Sequence, residues 1–283
     1  MKILIPIFDL IADEPTILFA GTIARSLNAS IQLFHVASKK MEKQVSRDYG
    51  QTLLEHVAGL LPGVSIEMRV RRGNANKKTL SEAQKGDYDL LIVPSWQLYR
   101  HFHSLPITAS KSQDIPCCVM VVRNPRAELK KMLICSGGLD VSNPVIQTGS
   151  HLAKALDADV TLLHVVNFVP SMYTGLDHIE ETIDEILQTD TPIANHLRHA
   201  AELLKENGIH AALKIRRGSP TAEIVRELDI EEYDLVVIGA SGGAGWVSGW
   251  FMGNLTKDVI SSVGIPVMVV NQARSAKGEQ FRA

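Results

Sequence analysis

Short apolar runs alternate with longer amphipathic stretches along the whole chain. Residues 3–7 form a continuous apolar run, the pattern of a strand buried on both faces rather than on one. After it come Asp13 and Pro15, then Ile17, Ala20, Ala24 and Leu27 at helical spacing, which predicts a capped amphipathic helix. Runs at 30–36, 65–70, 90–93 and 117–122 predict further strands, with helices over 39–60 and 77–85. The alternation starts again at 132–135, where Ser142 and Pro144 precede the next helix. Strands at 159–166, 210–215, 235–238 and 266–270 follow, with helices over 174–207 and 220–228. Apolar strands that alternate with helices make a parallel sheet covered on both faces. The expected fold is therefore α/β: two tandem doubly wound domains, each with a five-stranded parallel sheet covered by helices on both faces.

The second round repeats the first at named positions. Lys2-Ile3-Leu4-Ile5 returns as Lys131-Met132-Leu133-Ile134, and Phe34-His35-Val36 as Leu163-His164-Val165, both offset by 129 residues. Arg71-Arg72-Gly73 returns as Arg216-Arg217-Gly218, and Asp87-Tyr88-Asp89-Leu90 as Glu232-Tyr233-Asp234-Leu235, offset by 145. Ile115-Pro116 returns as Ile265-Pro266, offset by 150. The offset only grows, as loop insertions between fixed elements require. A unit this long is a whole domain rather than a solenoid module. The expected domains are 1–124 and 125–273, with a loose polar tail at 274–283. Most of the extra length lies in 167–192, which reads equally as a lid over a pocket or as an inserted surface segment.

Composition narrows the class. The chain has 283 residues, 45% hydrophobic and 21% charged, with a net charge of −2. That balance suits a globular protein and offers no general attraction for nucleic acid or anionic membrane. No apolar run reaches the ~20 residues that span a bilayer. Asp9, Asp13 and Glu14 interrupt the apolar start, which therefore reads as a strand rather than a signal peptide. Three cysteines without metal spacing point to reduced, buried thiols and a cytoplasmic location.

The densest chemistry follows the fourth strand of the second domain. Six glycines fall within residues 239–253, and Gly253-Asn254 opens the helix carrying Leu255, Val259 and Val263. Glycines let backbone N–H groups turn toward an anion, and a helix start adds free donors and a favourable dipole. Together they form a candidate phosphate cradle. It is not the dinucleotide fingerprint, which follows a first strand, and no Gly-Lys-Ser/Thr marks a Walker loop. The first domain lacks it: Pro94 stands opposite Gly239, Gln97 opposite Gly242, His103 opposite Gly253 and Ser104 opposite Asn254. The fold does not need those glycines, so their retention in one copy points to a site.

With these features the chain resembles the universal stress protein family in its tandem form. The resemblance rests on the Lys-x-Leu-Ile opening, the Leu-His-Val strand, Gly-Ser-Pro before the third helix, and Gly-x-x-Gly followed by Gly-Asn and an Ile-Pro strand. It implies binding of ATP or a related adenine nucleotide, with Mg as the accompanying ion, across the ends of strands one and four. Adenine would lie against Val165, and the triphosphate on Gly239, Gly242, Gly253, Asn254 and Leu255. The family's nucleotide pattern has nine residues before its distal Gly-Ser/Thr; here ten intervene and Asn254 replaces the hydroxyl residue. Gly137 occupies the place of the family's ligand-contacting aspartate, with Asp140 three residues on as a weak substitute. In the first domain Asp9 lies one place past that position. Family dimers pair their final strands, which implies an internal pseudo-dimer with 117–122 beside 266–270; a homodimer of whole chains stays open.

Other residues carry weaker signals. His196 with His199, and His101 with His103, are spaced for metal but lack a third ligand, so solvated or capping roles are expected. Arg71-Arg72 and Arg216-Arg217 could steer phosphate, but their recurrence in the copy without glycines argues for a structural or surface role. Trp246 and Trp250 suit a hydrophobic lip, a partner contact or core packing. No Ser, His and acid grouping suggests a nucleophile. The leading functional reading is a stress-response or signalling protein that binds adenine nucleotide in its second domain and an unidentified protein partner, with the first domain a degenerate scaffold. A weak ATP hydrolase or self-phosphorylating enzyme, and a nucleotide-independent interaction module, are the alternatives.

Overall fold

The computed structural model describes residues 1–40, 42–100, 115–137, 142–166, 183–240 and 255–271. The first half comprises Lys2–Ile7 (β1), Leu10–Ser26 (α1), Ser30–Ala37 (β2), Lys43–Gly59 (α2), Ile66–Arg72 (β3), Ala75–Lys85 (α3), Leu90–Pro94 (β4), Ser95–Arg100 (α4) and Cys118–Val122 (β5). The second comprises Lys131–Ser136 (β6), Asn143–Leu156 (α5), Asp159–Val166 (β7), Ile183–Gln188 (α6), Pro192–Glu206 (α7), Ala211–Arg217 (β8), Pro220–Ile230 (α8), Leu235–Gly239 (β9), Leu255–Ser262 (α9) and Val267–Val270 (β10).

The strands join into one sheet, in the order β3-β2-β1-β4-β5-β10-β9-β6-β7-β8. Pairing is parallel within each half. At the centre β5 and β10 run antiparallel, with Met268 opposite Met120. Read from either edge the order is the same, so the halves are related by a local two-fold. Alternation along each strand feeds two cores. Ile3, Ile5 and Ile7 join Met132 and Ile134 beneath residues of α1, α2, α5 and α7. Leu4, Leu133, Val236 and Val269 face the opposite layer with residues of α3, α8 and α9.

The Tyr-Asp pairs and the glycines after Arg-Arg serve the scaffold. Asp89 accepts the Lys2 N–H at 2.7 Å, and Asp234 accepts those of Lys130 and Lys131 at 2.8 and 2.9 Å. Each aspartate thus caps the start of a first strand. The tyrosine before it is buried and donates to a helix glutamate: Tyr88 to Glu82 at 2.9 Å, Tyr233 to Glu227 at 2.8 Å. The glycine of Arg-Arg-Gly is required by its backbone, at φ 146° for Gly73 and 150° for Gly218, a region that side chains rarely occupy.

Several local expectations are corrected. The first helix begins at Leu10, not after Asp13, because Asp9 caps it by accepting from Ala12 N at 2.9 Å. Pro15 then lies inside the helix. The long helix expected over 174–207 is interrupted: α6 ends at Gln188, and Thr191 caps α7 ahead of Pro192. Proline is favoured at a first helical position and disfavoured inside. Both third strands run on through their arginine pairs. α4, unpredicted, follows β4 without a break.

Candidate functional site

In each half the chain winds outward in both directions from its first strand. The switch point falls between β1 and β4, and between β6 and β9, where ligands of doubly wound sheets sit beyond the strand carboxyl ends. In the second half that edge carries Gly137 after β6, Gly239 and Ala240 at the end of β9, and Val165 near the end of β7. Ala240 N donates to Val270 O at 2.9 Å, and Thr256, one residue into α9, approaches Gly239 O through its hydroxyl at 3.4 Å. Leu255 opens α9 and packs on the core of that face. Gly137 donates its N–H to Ser142 Oγ at 2.9 Å, so at this edge it offers space rather than an uncommitted donor. The structure therefore brings Gly137, Val165, Gly239 and Leu255 to one end of the sheet. Gly242, Gly253 and Asn254 lie outside the described residues, as do Asp140, Trp246, Trp250, His101, His103, Ser104 and 167–182.

The first half fills the same place with side chains. β4 passes directly into α4, where Gln97 is wholly buried and neither of its polar side-chain atoms has a hydrogen-bond partner among the described residues. Asp13, 1% exposed, occupies the position of Ser142 and accepts from Phe8 N at 2.7 Å and Asp9 N at 3.0 Å. Burial pushes its carboxyl up to about 6, although both N–H donors favour the charged form. The Trp96 indole N–H approaches that carboxyl without forming a well-shaped hydrogen bond.

One side-chain pair escaped the sequence. Ser136, the last residue of β6, places its Oγ 2.5 Å from Nε2 of His196 on α7, and both residues are buried. This corrects the expectation of a solvated or capping His196. His199, one turn on, is half exposed and lies 3.3 Å from the Asn143 side chain. His164 Nδ1 lies 3.1 Å from Ser136 O; a carbonyl only accepts, so Nδ1 carries the proton. His35 makes the same bond to Ile7 O at 2.9 Å. Burial holds both of these imidazoles below their ordinary value, against the pull of the carbonyl. Sixty residues separate Ser136 from His196, and no spacing rule reaches that far.

Of the recurring arginines, Arg216 is committed to carboxylates. Arg216 donates to the buried Glu227 through Nε at 2.8 Å, and its guanidinium also faces Glu223. Among the described residues no three His, Cys, Asp or Glu side chains are grouped to hold a metal ion.

Sheets parallel within each half, with helices on both faces and the chain winding outward from a first strand, define a doubly wound α/β protein. The family model of the universal stress proteins matches residues 128–271, just over half the chain, and the chain belongs to that family. It is 28% identical over 154 residues to a universal stress protein of Methanocaldococcus jannaschii, covering 54% of this chain and 89% of the relative. A solved universal stress protein from Archaeoglobus fulgidus superposes on 95% of this chain and 96% of its own, with TM-score 0.66 and 15% identity. A universal stress protein in complex with cAMP aligns with 50% of this chain and 97% of its own, with TM-score 0.39 and 21% identity. In the described residues no helix is long and apolar enough to cross a membrane.

Proposed function

We propose that this chain binds ATP or a related adenine nucleotide at the carboxyl edge of its second half, as a cytoplasmic stress-response or signalling protein. One observation carries the reading: the two switch points differ. The first is packed with the Asp13, Trp96 and Gln97 side chains, whereas β6 and β9 run out into Gly137 and Gly239. The phosphates would lie on Gly239, Gly242, Gly253, Asn254 and the start of α9 at Leu255, with adenine against Val165. Residues 1–124 would serve as the scaffold and 125–273 as the binding domain. Binding would change the contacts offered to a protein partner.

Calorimetric titration with ATP in the presence of Mg is expected to give one site per chain. Gly253→Asp places a carboxylate against the phosphates and should abolish binding. Two equal sites, or none, would refute the assignment.

A further inference from the structure

We propose that the outer carboxyl edge of the first half, where β2 and β3 run out beside the start of α3, binds a compact phosphate-rich anion such as a short polyphosphate chain. This site is separate from the nucleotide cradle of the second half and does not depend on it. Lys39 and Lys40 follow β2, Arg71 and Arg72 end β3, and Lys77 and Lys78 lie in the first turn of α3. The backbone brings them together. Arg72 pairs with Ala37 in β-register, Gly73 N donates to Ala37 O at 3.1 Å, and the Arg72 guanidinium reaches Lys39 O at 3.4 Å. Over Gly73 two lysine stems converge: a Cβ built there would stand 3.3 Å from Lys78 Cε and 4.0 Å from Lys39 Cε. Among the described residues Lys39, Lys40, Arg71, Lys77 and Lys78 form no ion pair. Like charges gathered at one turn repel, and an anion seated among them reverses the sign of that interaction.

The second half makes the same turn without the excess charge. Gly218 stands in the place of Gly73, and a Cβ built on it would lie 2.9 Å from Glu223 Oε1. Glu223 holds the position of Lys78, five residues past the glycine, and Ala222 that of Lys77. Asn167-Phe168-Val169, which follow β7 in sequence, include no cation. Arg216 is drawn in to Glu223 and Glu227, whereas its counterpart Arg71 is exposed. The fold therefore closes this turn over a carboxylate equally well, and the positive charge of the first half answers a demand from outside the chain. Arginine forks and lysine ammonium groups around one turn suit phosphate oxygens. Away from the turn the excess fades, because on α2 Lys43 and Arg47 are interleaved with Glu42 and Asp48. A nucleic acid backbone or a long acidic surface would find no continuation there, and a short phosphate chain needs none.

The test is calorimetric titration of the full chain carrying Gly253→Asp, which closes the nucleotide cradle, with tripolyphosphate in magnesium-free buffer. One site per chain is expected. Lys78→Glu installs the residue that the second half carries over the same turn, so the fold tolerates it, and it should weaken binding by roughly tenfold or more. Arg71→Gln should weaken binding by about threefold. Lys205→Glu, the same charge change in the last turn of α7, should leave the affinity unchanged because salt screens distant surface charges. Magnesium, which neutralises phosphate charge, should weaken this binding, and that sets it apart from the ATP titration above. Equal losses from Lys78→Glu and Lys205→Glu would mark a general attraction and overturn the site. So would no binding, or citrate binding as tightly as tripolyphosphate. A glutamate-rich peptide that binds more tightly would assign the patch to an acidic protein instead. A clear preference for ATP over tripolyphosphate would mean that a nucleoside is recognised, and would likewise overturn the assignment.

Discussion

Asp13 and Ser142 show how one residue divides two otherwise matching halves. Both cap a backbone N–H at the end of a first strand, that of Phe8 or Gly137. Serine does so without charge, whereas the aspartate must ionise inside the protein. Burial pushes its carboxyl from the ordinary 3.8 up to about 6 in the folded state, so between those values the folded state holds the extra proton. Stability therefore falls as pH rises through that window and stays lower above it. Asp13→Asn keeps an acceptor and removes the charge. It should raise stability at pH 7 by about 1–3 kcal/mol and flatten the slope between pH 4 and 6. Urea midpoints across pH 4–8 would check both, and an unchanged slope would show that Asp13 is not the titrating group.

Among elements, the contacts of α3 and α8 with the sheet are the clearest duplicated device. Arg69 and Tyr88 hold Glu82, at 2.5 and 2.9 Å. Lys214, Arg216 and Tyr233 hold Glu227, which is wholly buried. Burial by itself would raise the Glu227 carboxyl, but the hydrogen bonds from Lys214, Arg216 and Tyr233 outweigh it and keep it below its ordinary value. The stability it adds is present above the ordinary value of 4.5 and is lost as pH falls below it. Glu227→Gln takes one of two carboxylate partners from each of Lys214 and Arg216 and should cost about 2–3 kcal/mol at pH 7 in chemical denaturation. Glu82→Gln, with one cation to strand, should cost less. Equal costs would mean that the second cation adds nothing.

At the scale of the molecule, the β5–β10 pairing turns two sheets into one. Val119, Met120 and Val121 lie opposite Val269, Met268 and Val267, all buried. Arg123 adds a hydrogen bond to Val263 O at 2.7 Å, and Arg126 reaches Asp234 at 3.2 Å. The central strand edges are thereby used within the chain. The outer edges, β3 and β8, carry Glu67, Arg69, Lys214 and Arg216, charges that discourage further strand pairing. If 1–124 and 125–273 are domains, the two pieces expressed together should associate one-to-one on size-exclusion with light scattering. Met120→Lys would bury a charge at the seam and should separate them. Pieces that never associate, or that survive Met120→Lys intact, would refute this junction as the joint between domains.

What the sequence determined by itself was the alternation of strands and helices and the recurrence of its motifs, though not α4 or the break between α6 and α7. Apolar periodicity, caps and turn glycines are local, and Tyr-Asp-Leu and Arg-Arg-Gly recur because each copy must cap a strand and make the same turn. The difference between the copies was also readable there, because Gln97 standing opposite Gly242 is a fact of alignment. Tertiary structure alone decided which side chains meet. Asp9 displaced Asp13 as a helix cap because the chain turns back on Phe8 and Asp9, and Ser136 found His196 because α7 packs over the end of β6. Hydrogen bonds and buried charges between distant segments depend on the path of the chain through space, and local periodicity carries no record of that path.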